Sequence, residues 1–225
     1  MSSLALTIDQ PDAQDARSQS ERADYAIREL IVTLELEPGS VVSERSLMGR
    51  LQIGRTPVRE ALQRLANERL VEVYPRRGMF VSGVEVHDLR GLSEVRATLE
   101  PACARLAAER ADVDDHQELD ALLEALAHLA NGGDERTLIE LDQRIHRTLY
   151  RCAHNPFLEE TLTTYYVLAL RIWFLALGRV TDRLDDAVRS HRRLLEAVRH
   201  GDGDQAEAAM REHVADFERA IRAVL

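Results

Sequence analysis

Residues 38–81 read PGSVVSERSLMGRLQIGRTPVREALQRLANERLVEVYPRRGMFV. Two short helices are predicted here. One follows Ser43, a good N-cap, and the other starts at Thr56-Pro57, where threonine caps the first turn and proline takes the first helical position. Residues 70–81 then alternate like two short strands around a turn that contains proline and glycine. This stretch therefore predicts two helices followed by a β-hairpin.

The residues before this stretch complete the pattern. Apolar residues recur at helix spacing from Glu21 until Pro38-Gly39 ends the helix. Three short helices and a hairpin predict a winged helix-turn-helix over residues 21–85. Residues 1–20 are polar and have no sustained period, so we expect a disordered tail there.

Only amphipathic helices are predicted from residue 86 to the end of the sequence. They span about 87–110, 114–130, 134–152, 157–178, 182–200 and 203–223. This pattern indicates an all-helical bundle of six or seven helices over residues 86–225. The predicted fold class is mainly α, with an N-terminal winged helix-turn-helix that carries a small β-hairpin wing.

Charge is unevenly distributed along the chain. The 225 residues hold 29 basic side chains, all arginine, against 39 acidic ones, for a net charge of -10. Residues 41–80 hold eight Arg against four Glu, a net charge of +4, whereas residues 81–225 hold 18 Arg against 27 acids, a net charge of -9. No apolar run approaches the roughly 18 residues of a membrane span, and no signal-peptide pattern is present. We therefore expect a cytoplasmic protein that does not contact the membrane.

The basic stretch predicts contacts with double-stranded DNA. A helix that enters the major groove needs its N-terminal residues free to reach base edges, with cations around it to meet phosphates. Arginine suits this position because its planar guanidinium can pair with guanine O6 and N7 together. The candidate residues are Arg45, Arg55, Thr56, Arg59, and Arg76 or Arg77. A single exposed arginine commonly serves only solubility, but the local charge, the helix order and the basic hairpin all favour a DNA partner.

The same segment resembles the DNA-binding domain of GntR-type bacterial transcription regulators over residues 21–85. The matching residues are Pro38-Gly39, Glu44-Arg45, Arg55-Thr56-Pro57-Val58-Arg59-Glu60-Ala61-Leu62 and Gly78. The resemblance implies DNA contacts from Arg45, Arg55 and Arg59. It also implies that Gly78, at the wing tip, approaches the minor groove. Members usually have serine or threonine before the arginine of RTPVREAL, whereas this chain has Gly54, which removes a hydroxyl that could contact a phosphate.

Four polar residues at core positions form a second signal. On the helix predicted at 134–152, Asp142 and His146 lie one turn apart on the apolar seam. His191 and His213 occupy core positions of the last two helices. One inward histidine is most often satisfied by a neighbouring group, but three histidines and a carboxylate predict a shared divalent cation. This donor set suits zinc, with nickel, manganese, iron or cobalt as alternatives.

Residues 87–225 also resemble the all-helical effector domain of the FadR-type branch of the GntR family, called the FCD domain. Its metal-binding members carry an Asp-x-x-x-His pair and two later histidines. The matching residues here are Asp142, His146, His191 and His213. The glutamate that commonly precedes the third ligand is Ser190 in this chain, and we expect little effect on ligation.

The FCD resemblance implies a ligand cavity over the metal, in which the cation and an arginine hold a small carboxylate effector. Arg96 is the first candidate for that arginine and Arg171 is the second. Asn155, in a segment that is typical of the family, is a further candidate for effector contact. In an alternative interpretation, Arg96 forms only an ion pair with Glu100, four residues later.

Together these features predict a homodimeric transcription regulator that is not an enzyme. It would bind a pseudo-palindromic operator as a dimer, with its affinity controlled by a small organic acid at or near the metal. One alternative is a metal-dependent hydrolytic enzyme, although the sequence has no HExxH, GxSxG or phosphate-loop motif. Another is a regulator whose metal is purely structural.

Overall fold

A computed structural model describes residues 18–84, 86–132, 134–176 and 184–224. In chain order, the elements are α1 (Gln19–Val32), β1 (Val41–Val42), α2 (Glu44–Leu51), α3 (Arg55–Asn67), β2 (Val71–Tyr74), β3 (Gly78–Val81), α4 (Val86–Arg110), α5 (Val113–Ala130), α6 (Glu135–Cys152), α7 (Pro156–Ala176), α8 (Leu184–Arg199) and α9 (Gly203–Arg222). The predicted mainly α fold class is confirmed. The chain divides into two compact units, of which the first contains the described residues before 85 together with Leu170–Leu175 of α7.

Helices α1, α2 and α3 form the core of the first unit. Helices α1 and α3 pack on each other, and their large, fully buried side chains include Ile27, Ile31, Val58, Leu62 and Leu65. A capping box at Ser18 and Glu21 begins α1, and the Ser43 hydroxyl accepts the Ser46 N–H at the start of α2. These caps satisfy backbone N–H groups that have no partner inside the helix. The sequence pattern thus sets both where the helices start and which face they bury.

A small antiparallel sheet follows the three helices, with strand order β1-β3-β2. The predicted hairpin is β2 and β3, in which Tyr74 pairs with Gly78. The Arg77 N–H donates to the Tyr74 carbonyl at 3.1 Å and closes the turn, and Arg76 adopts a positive φ of 65°. A positive φ at the third turn residue is the mark of a type II turn. The hairpin therefore presents its basic residues at a tight, defined tip.

Helices α4 to α9, apart from Leu170–Leu175 of α7, supply the second unit. Their described ends lie within two residues of the predicted ones wherever both can be compared. Aspartates cap three of these helices, namely Asp112 for α5, Asp134 for α6 and Asp202 for α9. Helix α4 packs along α9, and α8 packs against both α5 and α9. Helix α6 packs on α4, α5 and α8, so that α6, α8 and α9 share one interior.

One predicted helix end and two predicted starts are wrong. Helix α1 ends at Val32, before the predicted stop at Pro38-Gly39, and Leu34 just beyond it adopts a positive φ of 62°. Helix α1 begins at Gln19, inside the predicted tail, because Ser18 caps it. Helix α3 is capped by Gly54 rather than Thr56, since the extended backbone of Gly54 lets its carbonyl accept the Val58 N–H at 3.3 Å. Pro57 is then the third helical residue, where a missing N–H still costs no hydrogen bond.

Some predictions fall on parts of the chain that the structure does not describe. Residues 1–17 of the predicted tail lie outside the described residues, as does the predicted break at Gly178 with the helix ends around it. No helix within the described ranges is both long and apolar enough to cross a membrane.

Candidate metal centre and nucleic-acid interface

The six residues predicted to contact DNA all have exposed side chains or backbone in the first unit. They are Arg45 on α2, Arg55, Thr56 and Arg59 on α3, and Arg77 and Gly78 at the hairpin tip. The Arg59 side chain is 63% exposed and its Nε lies 3.3 Å from the Glu44 carboxylate. An ion pair this exposed contributes little to stability, so the guanidinium can exchange the carboxylate for a phosphate or a base edge at low cost.

The hairpin tip has a backbone conformation that suits its position. Gly78 has a φ of 102°, which residues with a side chain rarely adopt. The Arg77 guanidinium lies 5.8 Å from the centre of the Tyr74 ring, within the range of a cation–π contact. This contact restricts where the Arg77 charge points.

Asp142, His146, His191 and His213 come together inside the second unit. Their ligand atoms all lie within 4.8 Å of one another. Helix α6 supplies Asp142 and His146, α8 supplies His191 and α9 supplies His213. The first three residues are at most 4% exposed, whereas His213 is partly exposed. The sequence prediction identified four residues that the fold assembles from three helices.

The Nε2 atoms of the histidines and one oxygen of Asp142 point at a common centre. His146 Nε2 lies 3.1 Å from His213 Nε2, and His191 Nε2 lies 2.9 Å from Asp142 Oδ1. His146 Nε2 lies 3.9 Å from the same Asp142 oxygen. His191 Nε2 is buried without a hydrogen-bond partner, since an Nε2 lone pair beside a carboxylate oxygen has no proton to share. A buried polar nitrogen without a partner is costly unless something else satisfies it.

The Nδ1 atoms face outward and have partners of their own. His191 Nδ1 lies 2.9 Å from the Ala187 carbonyl, which can only accept a hydrogen bond, so Nδ1 carries the proton and the Nε2 lone pair is left for the centre. His146 Nδ1 lies 3.1 Å from the Tyr150 hydroxyl. His213 Nδ1 faces the Ser190 hydroxyl at 3.2 Å.

A layer of buried polar groups surrounds the four residues. The Tyr166 hydroxyl donates to Asp142 Oδ2 at 2.5 Å, and Asp142 Oδ1 is left for the centre. Glu100 Oε2 lies 3.6 Å from His146 Nδ1. Arg96 Nε lies 2.5 Å from Glu100 Oε1, with both side chains at most 3% exposed. Such outer partners orient metal-binding side chains in known sites.

The surroundings also set the protonation states. Burial alone raises the pKa of Asp142, but the facing imidazoles, His146 foremost, outweigh it and hold that pKa below its usual value. Burial, together with the neighbouring cationic groups, lowers the pKa of His146 and lowers that of His213 further. At neutral pH the site therefore presents an ionised carboxylate and neutral imidazoles at these positions, the forms that bind metals.

This donor set fits a divalent cation of the transition series. Metal–nitrogen bonds of about 2.0–2.1 Å place two ligands of one ion roughly 3–4 Å apart, depending on the angle between them. The separations of 2.9, 3.1 and 3.9 Å within the cluster lie in that range. Two imidazole lone pairs that face each other would repel, and a shared cation removes that repulsion. The residues present can thus hold a metal.

The three candidates for effector contact differ in their surroundings. Arg96 lies in the cluster's outer layer, but its guanidinium is engaged by Glu100 and lies 5.0 Å from the centre of the Phe217 ring. The ion-pair alternative for Arg96 is therefore present in the structure. Asn155 caps α7, with its side-chain oxygen accepting the Phe157 N–H at 3.2 Å.

Arg171 is placed elsewhere. It belongs to the first compact unit, where its guanidinium donates to the Ser82 carbonyl at 2.6 Å. Its side chain is 2% exposed, and burial lowers its pKa to about 10. The four-residue cluster belongs to the other unit.

The sequence did not predict the contacts that four outer residues make with the cluster, namely Glu100, Tyr150, Tyr166 and Ser190. Spacing could have identified Tyr150, which follows His146 by four residues on the same helix face. A second group that could hold a metal, Asp112, Asp115 and His154, consists of the α5 capping box and a histidine hydrogen-bonded to Asp115. Its carboxylates are occupied by backbone N–H groups of the helix start.

Two family models match the chain. Residues 19–81 match the model of bacterial regulatory proteins of the gntR family, and residues 91–216 match the FCD domain. One relative is the probable D-xylose utilization operon transcriptional repressor of Paenarthrobacter nicotinovorans, with 32% identity over 88% of this chain and 86% of that protein. Another is the galactonate operon transcriptional repressor of Escherichia coli (strain K12), with 26% identity over 92% of this chain and 98% of that protein.

Solved structures show the same fold. The chain superposes on E. coli McbR/YncC with a TM-score of 0.75 at 24% identity, covering 91% of this chain and 99% of that one. A GntR-type regulator from Rhodococcus sp. RHA1 gives a TM-score of 0.72 at 20% identity, covering 93% and 100% of the two chains. The two relatives are named as transcriptional repressors rather than enzymes, which argues against the hydrolase alternative.

Proposed function

Since the chain belongs to the gntR family of bacterial regulatory proteins and carries an FCD domain, we propose that a divalent metal in its helical half receives a small carboxylate effector that controls operator binding. The protein is a DNA-binding transcription regulator with an effector domain. FCD domains in general are metal-binding effector domains, and the His/Asp cluster supplies the candidate metal site here.

One observation carries the proposal of a metal. Four potential ligands converge in the protein interior, and the His191 Nε2 lone pair is buried there without a hydrogen bond. Asp142, His146, His191 and His213 would hold the ion, and zinc is the metal we propose, with nickel, manganese, iron or cobalt as alternatives. When bound, the ion would supply a positive charge that attracts an anionic oxygen.

The chemistry of the site favours a carboxylate as effector. A cation held by four protein ligands can keep one or two positions for oxygen donors. His213 is the only partly exposed member of the four described ligands, so a small molecule can approach from its side. One relative is a galactonate operon repressor, and galactonate is a carboxylate. We therefore propose a small organic acid, with sugar acids as the first class to test.

Operator binding is assigned to residues 21–85 and effector binding to residues 86–225, with a homodimer as the functional unit. Arg45, Arg55, Thr56, Arg59, Arg77 and Gly78 are the proposed DNA contacts. Two copies of one winged helix related by a two-fold axis would read two half-sites of a pseudo-palindromic operator. Effector binding would shift the equilibrium between two arrangements of these copies.

A thermal-shift screen tests the effector proposal. Zinc-loaded and chelator-treated protein are heated with a panel of organic acids, including galactonate, and with matched neutral sugars such as galactose. An acid that stabilises only the zinc-loaded protein supports effector binding at the metal. A ligand at 100 times its Kd stabilises the protein by about 2.7 kcal/mol. A metal that raises Tm while no acid adds to it would instead indicate a structural metal.

A further inference from the structure

Ser190 and His213 form a contact between α8 and α9 on the outer side of the metal cluster. The Ser190 hydroxyl lies 3.2 Å from His213 Nδ1, while His213 Nε2 faces His146 Nε2 at 3.1 Å. Ser190 directly precedes His191 in α8. One turn of α8 thus supplies one candidate ligand and the outer partner of another.

We propose that Ser190 is a positioning residue for metal binding: its hydroxyl accepts the Nδ1–H of His213 and holds the ring with Nε2 turned toward the cation. This inference rests on the proposed metal site and adds a determinant of its affinity. An imidazole can carry its proton on either nitrogen, and a hydrogen-bond partner at Nδ1 selects the form that leaves Nε2 for a metal.

His213 depends on this partner more than the other two histidines depend on theirs. His191 is fixed by a backbone carbonyl at 2.9 Å, and His146 is fully buried against Tyr150 and Glu100. His213 is partly exposed, and the Ser190 hydroxyl is the partner found at its Nδ1 within the described residues. Loss of that hydroxyl would therefore leave the ring free to rotate or to change tautomer.

Ser190 also lies next to solvent. A surface cavity of about 400 Å³ lies between α8 and α9, and Ser190 contributes to its wall. The charged residues around it are Asp186, Arg189, Arg193, Glu212 and Asp216. Three carboxylates against two guanidiniums leave the cavity without a net positive charge that would repel a cation. His213 is the partly exposed member of the four candidate ligands, so a weaker hold on its ring should speed metal release.

Zinc affinity provides the first measurement. We compare the wild-type chain with Ser190→Ala, Ser190→Thr and Arg189→Ala, using competition with a chromophoric chelator. Arg189 lines the same cavity but pairs with Asp186, so its replacement controls for a change in surface charge. Removing an outer partner of a ligating histidine typically costs 10- to 100-fold in metal affinity. We expect about that loss, with faster zinc release, in Ser190→Ala, and wild-type affinity in Ser190→Thr and Arg189→Ala.

A second readout separates positioning from a general structural effect. In zinc-loaded, 15N-labelled protein, the Nδ1–H of His213 should exchange slowly with solvent in the wild type and in Ser190→Thr, and rapidly in Ser190→Ala. The Nδ1–H of His191, bonded to the Ala187 carbonyl, serves as an internal reference that should not change.

Each outcome decides the proposal. Equal zinc affinity and equal His213 proton exchange in wild type and Ser190→Ala would overturn it, as would equal weakening by the alanine and threonine variants. A wild-type chain that binds no zinc, nickel, manganese, iron or cobalt would overturn both the proposed function and this inference. A wild-type chain that binds metal while Ser190→Ala does so equally well overturns the inference alone.

Discussion

Replacing Glu100 tests how the outer layer of the metal cluster is held together. Glu100 is fully buried and Arg96 is 3% exposed, so Glu100→Leu leaves a guanidinium inside the protein without its carboxylate. Breaking a buried ion pair by removing one partner costs about 3–5 kcal/mol, whereas replacing both partners with apolar residues is often neutral. We expect Glu100→Leu to lower the free energy of unfolding by about 3–5 kcal/mol, and Arg96→Met with Glu100→Leu to recover most of that loss.

The assay is denaturant unfolding followed by circular dichroism at 222 nm, in chelator so that bound metal does not add to stability. At roughly 2–4 °C per kcal/mol for a chain of this size, the single variant should melt about 6–20 °C lower. Glu94→Leu is the matched control, since Glu94 makes the same i,i+4 pair with Arg90 on α4 but both side chains are at least 66% exposed. Its removal should cost less than about 1 kcal/mol. A single variant as stable as the control, or a double variant no better than the single, would refute the reasoning.

Three further outcomes are expected. Arg55→Ala or Arg59→Ala should abolish specific operator binding in a gel-shift assay while the far-ultraviolet circular dichroism spectrum stays unchanged; retained specific binding would contradict the assignment of α3 as the recognition helix. His191→Ala with His213→Ala should lower metal content in elemental analysis, and an unchanged stoichiometry would refute the site. Asn155→Ala should lower the free energy of unfolding by about 1 kcal/mol through loss of the α7 cap. A normal stability combined with a lost effector response would instead favour a role of Asn155 in effector contact.

The helices of the second unit were predictable because their local signals agree. Asp112, Asp134 and Asp202 each cap a helix, and the apolar residues that follow recur at helix spacing. That spacing also identified the four candidate ligands, because a polar residue at a core position stands out against an apolar seam. His191 on α8 and Asp142 on α6 are examples, at 1% and 4% exposure. Local pattern thus reached the cluster without knowledge of how the helices pack.

Other features depend on contacts that local pattern does not contain. Strand β1 has only two residues, and it exists because Val41 pairs with Phe80, 39 residues away. The Gly54 cap was missed because the adjacent Thr56-Pro57 carries the stronger statistical signal. Tyr166 reaches Asp142 from a different helix, and no fixed spacing along the chain relates the two. This contact of the outer layer therefore required the folded structure.

The net charge of -10 does not weigh against binding to DNA. Exposed charges interact over about 8 Å at physiological salt, so a phosphate responds to the side chains that face it rather than to the sum over the chain. The exposed arginines at positions 45, 55, 59 and 77 lie on α2, on α3 and at the hairpin tip, within a stretch that is itself +4. The Glu44 carboxylate, 3.3 Å from Arg59, lowers the local positive charge, and in the proposed DNA complex a phosphate or base would replace it. Competition from Glu44 would weaken binding to DNA that offers Arg59 no well-placed phosphate or base. Where such a group is present, breaking the Arg59–Glu44 pair would cost little free energy, because the pair is exposed.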